Sequence, residues 1–157
     1  MAEYGYNEVQ TVQPGAAAIL NDIRPCIRCP QLVVHENQSP NMILRGIVRN
    51  TNCCNPKAQY NVSYSGNIAI PTGSTVGEIQ LAISVNGFVR PLTIAAATPA
   101  AVEEYWHVSG DTTIDVPAGC CTDIAIVNAS ANNTPTTVTA VPVLIRNLNV
   151  RITRNAA

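Results

Sequence analysis

The chain has 157 residues, 46% of them hydrophobic and 12% charged, with a formal net charge of −1. That is enough chain for one domain, with about half the usual density of charge. No basic excess is present to hold a phosphate backbone, and no apolar run approaches the ~18 residues that span a membrane, so nucleic acid and the bilayer are excluded as expected partners.

The first 40 residues differ from the rest. They hold Pro14, Pro25, Pro30 and Pro40 and the run Ala16–Ala18, and they read as an N-terminal arm with an edge strand. Two readings stay open for them: the first strands of a sandwich, or an arm that docks on neighbouring subunits. Strands are expected near 8–13, 31–35 and 43–49. In "QYNVSYSGNIAIP", Tyr60, Val62 and Tyr64 share a phase, and Gly66 marks a bulge or bend. The clearest strand is "VGEIQLAISVNG": Ile79, Leu81, Ile83 and Val85 alternate with polar or small residues, and Asn86–Gly87 supplies a tight hairpin turn. Further strands are expected near 89–95, 102–108, 112–116, 121–128 and 135–145. "LNVRITR" closes the series, with Leu148, Val150 and Ile152 on one face. "QPG", "NQSP", "PTGS", "SGD", "PAG" and "NASANNTP" punctuate them. Helix signals are confined to "TPAAVEEYW", read as coil or a single turn. Many short strands with turn residues between them predict a two-sheet antiparallel sandwich, with residues 41–157 as its body.

The residues offer little chemistry. His35 and His107 are the only histidines, and no base stands beside a nucleophile in a recognisable motif. Glu103 and Glu104 are adjacent, so on a strand they point to opposite faces, and no pairing with Glu78 is indicated. No enzymatic activity and no cofactor are expected. Six cysteines remain: Cys26, Cys29, Cys53, Cys54, Cys120 and Cys121. Cys26-x-x-Cys29 has half the spacing of a zinc site, but Cys120 and Cys121 enter a strand, where neighbours face opposite ways. No metal site is assigned, and one thiol of that pair is expected to be buried and the other to face outward. All six are candidates for disulfides or crosslinks; a bond between adjacent cysteines would be strained. Asn61–Val–Ser63 and Asn128–Ala–Ser130 match the glycosylation pattern. "MAEYGYNEVQ" lacks the features of a secretory signal, so the matches carry little weight and synthesis in the cytoplasm is expected.

Four stretches, "GNIAIPTG" (66–73), "VGEIQLAISVNG" (76–87), "TPAAVEEYWHVS" (98–109) and "DVPAGCC" (115–121), carry a resemblance. The chain resembles short jelly-roll structural proteins of tailed phages and prophages of gut Firmicutes, whose fold is similar to the C1q and tumour necrosis factor modules. The likeness spans roughly 45–154. It implies a jelly roll, a homotrimer packed around a threefold axis, and a place on the virion surface as capsid decoration or head-fibre module. No collagen-like repeat is present, so a trimer would hold by its globular contacts alone. Tyr60, Tyr64 and Tyr105 are expected at the subunit contacts, and the arm at the contact with other capsid subunits. The eight arginines beside the single Lys57 suit a protein-facing surface, and low charge favours association. Two alternatives stand beside this: a bacterial surface or spore appendage crosslinked by its cysteines, and a glycan-binding module, which would need exposed aromatics on its loops.

Overall fold

The structure, a computed structural model, describes residues 1–24, 32–49, 54–132 and 141–155. Its strands in chain order are β1 (Ala2–Tyr6), β2 (Gln10–Val12), β3 (Asn21–Arg24), β4 (Val33–His35), β5 (Met42–Arg45), β6 (Lys57–Ala69), β7 (Ile79–Val85), β8 (Phe88–Val89), β9 (Ala95–Ala97), β10 (Trp106–Pro117), β11 (Cys121–Asn128) and β12 (Val143–Arg154). They form two antiparallel sheets, as the turn-punctuated pattern predicts. Sheet one runs β10-β6-β12-β1-β3, with β2 beside the start of β12; sheet two runs β4-β5-β11-β7-β8, with β9 beside the start of β7. The architecture is a jelly-roll sandwich.

Strand alternation builds the core. Tyr60, Val62, Tyr64 and Ile68 of β6 point inward, against Leu81, Ile83, Ile124 and Ile126 of sheet two. The Asn86–Gly87 hairpin forms as expected, with φ of 51° and 83° at its two central residues. The strands expected at 102–108 and 112–116 are one strand, β10. Gly110, read as part of a turn, lies mid-strand: a Cβ there would stand 2.7 Å from the Tyr64 ring and 2.8 Å from the Thr93 carbonyl. The bulge expected at Gly66 falls on its partner. β12 shifts register between Arg146 and Asn149, opposite Gly66, and Asn147 takes a φ of 53°. The segment expected as a strand at 89–95 is broken at Pro91, which opens a 3-10 turn, Pro91–Thr93.

Residues 1–24 are built into the sandwich. β1 lies between β12 and β3, and Tyr4 and Leu20 join the core. The sheets end together on both sides. β3 and β4 flank one lateral side, linked by the Leu20–Ser39 bridge and by Asp22 against His35. β10 and the β8–β9 segment flank the other, where the Tyr64 hydroxyl of neighbouring β6 reaches across to the Leu81 and Thr93 carbonyls.

Candidate functional site

Alternation determines what each face of sheet one offers. Its outer surface carries Gln59, Asn61, Ser63, Ser65 and Asn67 on β6, and His107, Ser109, Asp111, Thr113 and Asp115 in register beside them on β10. The side chains on this face are mostly short and uncharged. Its charges are largely matched: Lys57 pairs with Asp115, and Arg151 approaches Glu3 at 3.5 Å. The Lys57 and Gln59 hydrogen bonds hold the Asp115 carboxyl below the usual carboxylate range.

The lateral sides are different. On the β8 side, Phe88 is 79% exposed and Leu92 fully so. On the β3/β4 side, Ile23 is 49% exposed, with Val34 of β4 and Ile43 of β5 also exposed. Ile23 lies over Gly5, where a Cβ would come within 2.5 Å of its Cδ1.

Several expected site residues have other duties. Tyr60 and Tyr64 are 0% and 2% exposed, so they do not line a subunit contact. Their phase on β6 faces the opposite sheet, where the Tyr60 hydroxyl meets the Arg45 carbonyl at 2.6 Å. Tyr105 is half-buried beneath the Arg146 guanidinium, 4.3 Å from the ring centre. Cys26, Cys29 and Cys53 lie outside the described residues. Cys54, Cys120 and Cys121 are all exposed and unpaired, which overturns the expectation of a buried thiol. Cys120 still belongs to the turn, and the first inward residue of β11 is Thr122.

The acids and histidines serve local structure. Glu104 accepts from the Ala100 and Ala101 amides and from the Trp106 indole, and Glu103 accepts from Thr72. His35 is almost wholly buried between the Asp22 carboxylate (2.5 Å) and the Ser39 carbonyl (2.9 Å), with the Tyr4 ring against it. His107 faces solvent beside Asn67. Among the described residues, no three His, Cys, Asp or Glu side chains gather as metal ligands. Asn128 is fully buried and donates to the Val12 and Val141 carbonyls, so the glycosylation match there is a structural clamp.

An open groove of about 400 Å³ crosses the outer face of sheet two. Ala17, Val89, Ala125 and Val127 give it a small apolar floor, with Asn41, Ser84 and Asp123 beside them. Burial pushes the Asp123 carboxyl up, and its Oδ1 is buried without a hydrogen-bond partner.

No family model and no curated protein matches the chain. The solved structures similar to it include the C-terminal domain of EclA, a sugar-binding protein, and the CBM22-1 xylan-binding domain of Xyn10C from Paenibacillus barcinonensis. The first is 13% identical with a TM-score of 0.42, over 93% of this chain and 79% of that one. The second is 12% identical with a TM-score of 0.35, over 99% of this chain and 88% of that one. Likenesses this distant carry no inference about a ligand.

Proposed function

We propose that the chain is a non-catalytic structural subunit that assembles side to side with copies of itself into a homotrimer on a virion surface. The observation that carries the assembly is the exposed apolar residues along the two lateral sides: Phe88 and Leu92 on one, and on the other Ile23 on the outer face of sheet one with the Val34–Ile43 pair on the outer face of sheet two. Exposed large apolar groups mark contact surfaces, and a contact between two unlike sides is heterologous, which makes a ring where the rotation between copies closes. The net charge of −1 leaves little repulsion between copies. The ring size of three and the virion setting follow the resemblance, as does docking onto other capsid subunits. A bacterial surface or spore appendage would use the same contacts.

Light scattering of the reduced protein is expected to give about three times 16.7 kDa. F88D/L92D spoils one side and I23D/V34D the other, so each variant should be monomeric. Mixed together, they retain one intact pair of sides and should form a heterodimer that cannot close. A monodisperse wild-type monomer at micromolar concentration, or variants that stay trimeric, would overturn the assembly.

A second reading, glycan binding, is favoured by the groove on sheet two. Its unpartnered Asp123 oxygen can accept from a hydroxyl, and its small apolar floor can receive the C–H face of a sugar ring. Among the described residues no aromatic side chain lines it, so the described lining offers no stacking surface. A glycan array with wild type and Asp123→Asn tests this reading: signal lost in the variant supports it, and no signal for any glycan ends it.

A further inference from the structure

We infer that one end of the sandwich is a thiol pole that joins two copies of the chain by disulfide exchange. The inference concerns the end of the molecule, and it stands whether or not the lateral sides form a ring.

Cysteine is among the most buried residue types, because a thiol packs as a small hydrophobe. Here Cys54, Cys120 and Cys121 are all exposed and unpaired, so core packing does not account for them. They share one end because the turns that carry them are tied together. The Ala118 amide donates to the Pro56 carbonyl (3.0 Å), Gly119 donates to Gly46 (2.9 Å), and Gly46 donates to Cys120 (2.8 Å). Cys54 lies two residues before Pro56, and Cys121 pairs with Arg45 at the end of β5. The turn has little room to shift: a Cβ on Gly46 would stand 1.9 Å from the Pro117 carbonyl oxygen.

Two features bear on the partner. Cys120 and Cys121 are neighbours, and a bond between them would be strained, so each is left for a cysteine elsewhere: one on a second copy, or Cys54 of the same copy, which the test below separates. Among the described residues at this end, Asp115 is held by Lys57 and Arg45 stands beside Cys121, so no acid there is uncompensated. Like ends therefore meet without strong repulsion, which an end-to-end twofold contact requires.

The chemistry is exchange with a small-molecule disulfide as oxidant. A thiolate of one copy attacks it, forms a mixed disulfide and expels one small thiol. A thiolate of the second copy then attacks the protein sulfur and expels the other. The two protein thiols give up two protons and two electrons, and the small disulfide ends as two thiols.

The test mixes equal amounts of unlabelled and nitrogen-15-labelled chain with oxidised glutathione, followed by non-reducing electrophoresis and peptide mapping. The expected product is a covalent dimer whose bridged peptides carry Cys54, Cys120 or Cys121 and join a light copy to a heavy one. C54S/C120S/C121S should abolish it and leave the circular dichroism unchanged. Bridges confined to one copy, glutathione adducts without bridges, free thiols, or a dimer that persists in the triple variant would each overturn the proposal. Light scattering of the reduced protein is unaffected by any of these outcomes, so the lateral assembly is judged separately.

Discussion

The single hydroxyl proton of Tyr64 lies between two carbonyls, Leu81 at 3.0 Å and Thr93 at 2.8 Å, and joins sheet two to the turn at its edge. Tyr64→Phe leaves both carbonyls buried without that donor and is expected to cost about 1–3 kcal/mol in urea unfolding. Burial raises the Tyr4, Tyr60 and Tyr64 phenols; for Tyr4, burial and then the negative charge of Asp22 push it to about 12. The neutral phenol is thus favoured in the folded chain. The stability this provides is complete below about pH 10, where the unfolded phenols are also protonated. It falls as pH rises further, because only the unfolded chain then releases protons, and the Tyr4 share is gone above about 12. Tyrosinate absorbance should show these three ionising later than the rest, together with or after alkaline unfolding; three early, reversible ionisations in a folded chain would contradict the burial. Asn128 gives a second residue-level expectation. Its amide serves Val12 and Val141, and its carbonyl oxygen accepts from the Ser130 amide and hydroxyl. Asn128→Ala should cost at least about 2 kcal/mol, measured in the same way.

Within the elements, two glycines in strands separate close approach from mere permissiveness. Gly110 on β10 sits under the Tyr64 ring and the Thr93 carbonyl, neither of which can retreat without opening the β10 side. Gly110→Ala is expected to destabilise by about 1–3 kcal/mol, the usual penalty of overpacking. Gly66 faces the β12 bulge, and its nearest neighbour would be Leu148 Cδ1 at 3.4 Å, the end of a flexible side chain. Gly66→Ala should change stability by less than about 1 kcal/mol. Equal effects in thermal unfolding would show that strand propensity, not local space, governs both sites.

At the scale of the whole molecule, the early residues are inseparable from the sandwich. β1 has partners on both sides, and Ala2, Tyr4, Val12, Ala18 and Leu20 are core residues. Deleting residues 1–24 removes an interior strand and exposes the inner edge of β12, so the truncated chain is expected to lose dispersed amide NMR signals and aggregate. A soluble, cooperatively folded truncation would instead make this segment a detachable arm.

Alternation made the strand content readable from the sequence, because the period of two is a property of the pleat itself and needs no partner. The Ile79–Val85 strand and the Asn86–Gly87 turn were legible for that reason: their signals lie within a few residues. The short strands Ala2–Tyr6 and Asn21–Arg24 carry too few alternating residues to stand out, and pairing with distant β12 is what orders the first. Which phase faces inward, and what waits there, is a long-range matter. The shared phase of Tyr60 and Tyr64 was visible, but their burial depends on the opposite sheet. The exposure of Cys120 and Cys121 depends on where β11 begins, which the pairing of Cys121 with Arg45 decides. The apolar sides have the same origin. Phe88 and Leu92 look like core residues in sequence, and only the position of β8 and its neighbouring turn at a sheet edge leaves them in solvent. Local sterics sufficed to make strands, while the order in which distant strands pair determined which side chains this molecule presents.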